Sequence, residues 1–113
     1  MFVYDPIDYM WVAYPSWLWH LQKIQADLAW DITRGDPNVN IAIIDYDFDV
    51  THPDLASEIF PHYDPYTMYQ YTCNTTHWHG TTVASFASAE TTEQGGSSQG
   101  QLASVGFNTK IIG

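Results

Sequence analysis

A carboxylate stands directly after a short apolar run near the middle of the chain. The run, Val39 and residues 41–44, is rich in β-branched side chains and stops at Asp45. It predicts a strand that is buried on both faces, as in a parallel sheet covered by helices. Because sites in open α/β sheets form at the carboxyl ends of strands, Asp45 is a candidate for chemistry. The alternative is that Asp45 only begins a turn.

Two groupings nearby have the residue types of metal sites. The first alternates along the chain like the ligands of a calcium loop: Asp45, Asp47 and Asp49. Val50 stands where an EF-hand requires glycine, so this motif fails as an EF-hand. The second could in principle hold a transition metal: Cys73, His77 and His79. The sequence places no fourth ligand beside it, which leaves zinc without a complete ligand set.

The elements that would position these residues are predicted from periodicity and small-residue content. A short helix is expected over residues 26–33, with Gly35 at its C-terminal cap. Its buried stripe is expected to be Leu28, Ala29 and Ile32. Asp36-Pro37-Asn38 then turns the chain into the central strand.

A second helix is predicted over residues 81–89, which are mostly small and would let it approach a sheet closely. His79 would lie at the N-terminal edge of this helix. The aromatic segment after Leu55 predicts loop with one short strand. Residues 93–100 predict a flexible Gly/Ser-rich loop, and residues 102–112 return to an apolar run that predicts another strand.

Residues 1–20 are unusually aromatic and show no helical or alternating period, which predicts an irregular N-terminal arm. Its aromatic residues are Phe2, Tyr4, Tyr9, Trp11, Tyr14, Trp17 and Trp19. Side chains of this size bury a large area, so the arm is expected to drape over the remaining domain, residues 21–113. The alternative is that the arm is an association surface, where Trp and Tyr often dominate the binding energy.

The composition excludes several classes of partner. The chain of 113 residues is 45% hydrophobic and 14% charged, which indicates one folded domain with a modest core. Its net charge is −10, so it lacks the basic surface of nucleic-acid binders and would be repelled by anionic lipid. No apolar run approaches the roughly 18 residues of a membrane-spanning helix. The first twenty residues do not have the pattern of a signal peptide.

Two further features concern the cellular compartment. The single Cys73 excludes an internal disulfide and leaves the redox compartment open. Asn74-Thr75-Thr76 is a glycosylation sequon, which matters only in a secretory pathway that can read it.

Two motifs of the chain resemble those of the subtilisin-like serine proteases, the subtilases. In that family an apolar strand ends in D-[ST]-G, is followed by H-P-D-L, and is later followed by H-G-T-H-V-A. The matching residues here are Asp45, then His52-Pro53-Asp54-Leu55, then His79-Gly80-Thr81 and Val83-Ala84. With weaker similarity in residues 19–30 and 103–110, the resemblance covers roughly residues 17 to 113.

The resemblance implies a fold and a pair of site residues. The fold is α/β, with a mainly parallel sheet flanked by helices, subtilisin-like but truncated. In serine proteolysis a base takes the serine proton and returns it to the leaving amine, while an acid fixes the tautomer of the base. By the resemblance His79 is that base and Asp45 that acid. Asp54 matches a position that binds structural calcium in many subtilases, and no other cofactor is required.

The nucleophile of such a protease has no candidate here. In the family it lies on a later G-T-S-M-A helix, and the oxyanion asparagine lies before it; neither motif is found in this sequence. Because triad members act as a unit, we expect the chain alone to be inactive. A protein or peptide would be its substrate once a serine-bearing segment completes it.

The family resemblance also implies secretion, and hence an extracellular location. A sheet cut within residues 110–113 would expose unpaired edges, so we expect self-association or a complementing chain rather than a lone monomer.

The chain departs from the family pattern beside both site residues. Tyr46 replaces a short hydroxyl, and Asp47 replaces a glycine. A second negative charge at Asp47 would tend to raise the pKa of the Asp45 carboxyl. Thr82 stands where the family usually has a second histidine, which bears mainly on packing.

Two other functions remain open. The altered turn after Asp45, the missing serine and the many aromatic residues favour a non-enzymatic structural or assembly protein that self-associates through a subtilase half-domain. A third function, a cation-binding module that uses the acidic loops, has only the charge in its favour.

Overall fold

The computed structural model describes residues 6–45, 48–60, 78–92 and 102–112, together with the backbone of two short strands at 62–63 and 70–71. The helices are α1 Tyr9–Ala13, a 3₁₀ helix Pro15–Leu18, α2 Trp19–Lys23, α3 Ala26–Trp30 and α4 His79–Ser88. The strands are β1 Asn40–Ala42, β2 Ile59–Phe60, β3 His62–Tyr63, β4 Gln70–Tyr71 and β5 Lys110–Ile112. None of the helices in the described ranges is both long and apolar enough to cross a membrane.

The main sheet is parallel, as predicted. Its strand order is β1-β5-β2, and both β1 and β2 run parallel to β5. Ile41 and Ile59 flank Ile111 in register. The strands β3 and β4 form a separate antiparallel pair. The predicted α/β class with a mainly parallel sheet is therefore confirmed.

Among the described residues, only one face of the parallel sheet is covered. On that face, Ile111 belongs to a buried cluster whose members come from the sheet, α4 and the loops between them: Phe48, Leu55, Ala84, Ala89 and Ile111. The opposite register positions, Ala42, Phe60 and Ile112, are exposed, and Ile44 just beyond β1 is fully exposed. The prediction of a strand buried on both faces was therefore wrong. The apolar run is present, but among the described elements α4 packs on one side of it, and three of its five side chains are exposed.

A second cluster forms around Trp30 at the end of α3. Its buried members are Leu18, Leu21, Ala26, Trp30, Ala103 and Phe107. The Trp30 ring contacts the rings of Trp11 and Phe107 edge-on, with centroids 5.4 and 5.9 Å away. Its Nε1–H donates to the Val105 carbonyl at 3.2 Å. This tryptophan anchors the N-terminal helices to the turn before β5.

The predicted buried stripe of the first helix was wrong. Helix α3 ends at Trp30, and Leu28, Ala29 and Ile32 are exposed. Ala26 and Trp30, one helical turn apart, form the buried face instead. The physical reason is size, because an indole buries far more apolar area than Leu28 or Ile32 would.

The N-terminal arm is more regular than predicted. It contains α1 and the 3₁₀ helix, and α2 begins within it, so the expectation of an irregular segment was wrong. Trp11 packs against the cluster around Trp30, whereas Trp17 and Trp19 are exposed. The division into an arm of residues 1–20 and a domain of residues 21–113 stays a prediction.

The turn before β1 forms as predicted. The Asn38 backbone N–H donates to Asp36 Oδ1 at 2.8 Å, and Val39 N–H donates to the Asp36 carbonyl at 2.9 Å. The Asn38 N–H lowers the pKa of the Asp36 carboxyl because it stabilises the charged form. Gly35 does not cap α3, which ends five positions earlier. It lies instead in a left-handed turn with φ of 85°.

That turn packs tightly against the loop before β5. A Cβ on Gly35 would lie 2.8 Å from the Gly106 carbonyl oxygen. Gly106 N–H in turn donates to the Ala87 carbonyl at 2.8 Å, and Ser88 Oγ donates to the Thr109 carbonyl at 2.6 Å. The end of α4 is thus tied to the segment that leads into β5. At the same end of the sheet, Lys110 Nζ donates to Glu58 Oε2 at 2.9 Å.

We predict that Gly35→Ala destabilises the fold by about 1 to 3 kcal/mol, because it combines a left-handed backbone with a backbone clash. The exposed neighbouring residue Asn108 supplies the control, and Asn108→Ala should change the free energy of unfolding by less than about 0.5 kcal/mol. Urea unfolding followed by tryptophan fluorescence measures both variants. Equal stability of the two would contradict the packing described for this turn.

Candidate active site

Asp45 lies at the carboxyl end of β1, as the strand pattern predicts. The ladder continues past the strand, since Ile43 N–H donates to the Ile112 carbonyl at 2.8 Å. Two residues later the Asp45 side chain is largely shielded, with 13% of its surface exposed. The backbone that carries this carboxylate is therefore held by the parallel sheet.

His79 is the first residue of α4, which is the helix predicted from the run of small residues. Gly80 and Ala84 are buried on its inner face. Small side chains at these positions let the helix axis approach the sheet, with Ala84 in the same buried cluster as Ile111. The His79 side chain is 69% exposed, so its ring projects from the helix toward solvent.

The fold brings these two residues into direct contact. His79 Nδ1 lies 2.9 Å from Asp45 Oδ1 and 2.8 Å from Asp45 Oδ2. A carboxylate can only accept hydrogen bonds, so Nδ1 must carry the proton and donate it. In the neutral ring this fixes the tautomer and leaves a lone pair on Nε2. Nε2 has no hydrogen-bond partner in the part of the chain that the structure describes.

This geometry can perform half of an acid–base function. The carboxylate orients the imidazole and would stabilise its charged form after it takes a proton. That proton would come from a hydroxyl that approaches the exposed Nε2 from solvent. No serine in the described ranges makes a hydrogen bond to His79.

The residues next to the pair are only partly described. Tyr46 and Asp47, which depart from the family pattern, lie outside the described residues, as do Cys73 and His77. Thr82 Oγ1 donates to the Trp78 carbonyl at 3.0 Å, which is a contact within its own helix.

Asp49 and Thr81 form a contact that the sequence analysis missed. Asp49 N–H donates to Thr81 Oγ1 at 2.8 Å. The Asp49 carboxylate faces the other way and accepts from the backbone N–H and the hydroxyl of Thr51, which lower the pKa of Asp49. Asp49 therefore acts as part of a turn. The only signal in the sequence was the position of Thr81 within the H-G-T motif.

Asp54 is buried, as a structural ligand would be. Its backbone N–H donates to His52 Nδ1 at 3.2 Å, and its carbonyl accepts from Glu90 N–H at 2.7 Å. A second buried acid, Asp8, contacts the segment that contains Glu90. Its carboxylate oxygens accept from Thr92 N–H at 3.1 and 3.3 Å.

Burial raises the pKa of Asp8 to about 6, and the negative charges of Asp54 and Glu90 add to this effect. Nothing in the sequence marked Asp8, because its partner lies 84 residues away.

The donor chemistry of this acidic region suits calcium, which takes carboxylate and carbonyl oxygens. Within the described ranges, however, no three His, Cys, Asp or Glu side chains come together as a metal site. Asp54 and Asp8 are therefore at most part of a ligand set.

Comparison with known proteins gives three matches. The model of the subtilase family matches residues 36–113, which include both Asp45 and His79. A thermophilic serine proteinase of Bacillus sp. (strain AK1) is 35% identical over 99 residues, which cover 88% of this chain and 23% of that protein. Halolysin of Haloferax mediterranei is 46% identical over 37 residues, which cover 33% of this chain and 7% of that protein. The chain thus spans less than a quarter of the length of these relatives.

Proposed function

We propose, from the premise that this chain belongs to the subtilase family, that it supplies the acid and the base of a serine endopeptidase. The observation that carries the proposal is the contact of His79 Nδ1 with both carboxylate oxygens of Asp45, at 2.8 and 2.9 Å. In this function Nε2 of His79 accepts the proton of a serine hydroxyl and later delivers it to the leaving amine. Asp45 holds the ring in the required tautomer.

The remaining groups must come from further polypeptide. The sequence contains no G-T-S-M-A segment and no oxyanion asparagine motif. An oriented imidazole without a nucleophile cannot form an acyl-enzyme, so the chain alone is inactive. Completed by a serine-bearing segment, it would hydrolyse peptide bonds in protein or peptide substrates. We place this activity outside the cell, by family membership.

Association through the sheet is the second part of the proposal. Phe60 and Ile112 are exposed on the uncovered face, beside the fully exposed Ile44. In the described part of the chain, β1 also pairs on one side only. An open strand edge next to an apolar face favours pairing with another chain. The same observation favours the alternative function, a non-enzymatic assembly protein, so an activity test must separate the two.

Calcium binding is the third part of the proposal. We propose that Asp54 contributes a carboxylate oxygen to a calcium ion, with Asp8 as the neighbouring acid. Both side chains are buried, the negative charge of Asp54 acts on Asp8, and carboxylate oxygens are the ligands that calcium takes. The ion would supply structural stability and would take no part in proton transfer.

The enzymatic proposal predicts the behaviour toward a fluorophosphonate serine probe. The assembly isolated through this chain should be labelled, and the isolated chain should not. His79→Ala should lower the labelling rate by roughly 10⁴-fold or more, because triad members act as a unit. Trp78→Ala is the matched control, because Trp78 is the exposed residue directly before His79 and its change should leave the labelling rate unaltered. An intact assembly that stays unlabelled would contradict the enzyme and support the assembly protein.

The association proposal predicts that the chain sediments as a species larger than a monomer at micromolar concentration. Ile44→Lys should shift it toward the monomer, because a charge on the uncovered face opposes burial. Ile32→Lys places the same change at an exposed residue after α3 and should have no effect. Sedimentation velocity measures all three proteins, and a compact monomer in the unmodified chain would refute the proposal.

The calcium proposal predicts a rise in the melting temperature. At a calcium concentration one hundred times Kd, the fold should gain about 2.7 kcal/mol, and a chelator should reverse the gain. Asp54→Asn should abolish the response, whereas Asp27→Asn, in the first turn of α3, should retain it. Calorimetry with and without calcium measures this. A response that persists in Asp54→Asn would remove Asp54 from the site.

A further inference from the structure

We infer that Thr81 is a positioning residue for the Asp45–His79 pair, and that it acts through the hydrogen bond that its hydroxyl accepts from the Asp49 backbone N–H. The inference rests on the proposed function of that pair. Thr81 would contact neither the transferred proton nor the substrate. It would fix the position of the Asp45 carboxylate relative to the His79 ring.

The acid needs support on both sides. Before Asp45, the chain is held by the ladder bond from Ile43 N–H to the Ile112 carbonyl at 2.8 Å. After Asp45, the first described residue is Phe48, whose ring is buried in the cluster that contains Ala84 of α4. The next residue is Asp49, and its N–H reaches Thr81 Oγ1 at 2.8 Å in a partly buried contact. Residues 48 and 49 are thus attached to α4, Phe48 through its ring and Asp49 through its backbone N–H.

The base stands on the same element as this attachment. Thr81 lies two residues after His79, within the first turn of α4. The bond between Asp49 and Thr81 joins residues that are 32 positions apart in the sequence. Asp45 and His79 are 34 positions apart. One hydrogen bond therefore links Asp49, four residues after the acid, to the helical turn that carries the base. Because His79 is 69% exposed, packing around its ring offers little competing restraint.

The neighbouring hydroxyls cannot take this role. Thr82 Oγ1 donates to the Trp78 carbonyl at 3.0 Å, and Ser85 Oγ donates to the Thr81 carbonyl at 2.8 Å. Both bonds stay within α4. The Asp49 carboxylate is engaged by Thr51, so Asp49 contributes its amide alone. Thr81 is thus the hydroxyl of this turn that reaches the segment after Asp45.

The consequence is a preference for one histidine tautomer. While the carboxylate stays in place, Nδ1–H is favoured, because only that tautomer can donate to it. If the segment after Asp45 shifts, the carboxylate withdraws and the Nε2–H form gains population. That form would present a donor, not a lone pair, to an incoming hydroxyl.

The test uses the full chain with ¹⁵N-labelled histidine at a pH where the imidazole is neutral, since imidazole ¹⁵N shifts report the tautomer directly. Thr81→Val removes the hydroxyl and keeps the shape. It should lower the ratio of Nδ1–H to Nε2–H at His79 roughly two- to tenfold, which is the range that one ordinary hydrogen bond represents. Thr81→Ser should restore the ratio, and the matched control Thr82→Val should leave it unchanged.

A folded Thr81→Val with the unmodified ratio would overturn the inference, and so would an equal effect of Thr82→Val. If Thr81→Val does not fold, Thr81→Ala is compared with Thr81→Ser by the same spectra. If no hydroxyl-free variant folds, Thr81 is a folding residue and the positioning role is rejected. Asp45→Ala is the reference, because it removes the acceptor. If a folded Asp45→Ala also leaves the ratio unchanged, the pair itself is refuted, and the proposed function fails rather than the role of Thr81 alone.

Discussion

The contact between the Asp45 carboxylate and His79 Nδ1 is the interaction on which the functional account depends. It requires a strand end and a helix start, 34 residues apart, to meet within hydrogen-bond distance. The parallel ladder between β1 and β5 fixes the strand end, and close packing of α4 on the sheet fixes the helix. The imidazole is left exposed, with its second nitrogen open to a hydroxyl that the described residues do not provide. The arrangement is therefore oriented for proton transfer, which is the basis of the proposal that another segment supplies the hydroxyl.

The same small residues that allow α4 to approach the sheet also limit what the chain can bury. Ala84 and Ala89 give the helix a close fit over Ile111, with little apolar area of their own. A parallel sheet normally carries a layer on each face. Here the second face presents Phe60 and Ile112 to solvent. Within the described residues, the site has no nucleophile beside His79 and the sheet has no layer on its second face. These two observations support the proposal that additional polypeptide completes both.

Much of this could be predicted from the sequence. The strand end at Asp45, the helix that begins at His79 and the parallel sheet all follow from short motifs whose geometry is local. The features that the sequence did not predict depend on competition between side chains for one cluster or on contacts between residues far apart in the sequence. An apolar run shows what a strand could bury but not whether a layer covers it, so the exposure of Ile44 could not be foreseen. Trp30 displaced the predicted stripe of α3 because a large ring outcompetes smaller side chains for one cluster. Asp8 gave no signal, because its burial depends on contacts far along the chain.

The central claim is that Asp45 holds the Nδ1 proton of His79, and the most direct measurement is the low-field proton NMR spectrum of the chain. A proton held between Nδ1 and a carboxylate is shielded from exchange and resonates outside the amide region. We predict such a signal in the unmodified chain and its loss in both Asp45→Ala and His79→Gln, because Ala removes the acceptor. Absence of the signal from the folded, unmodified chain, or its persistence in folded Asp45→Ala, would contradict this claim.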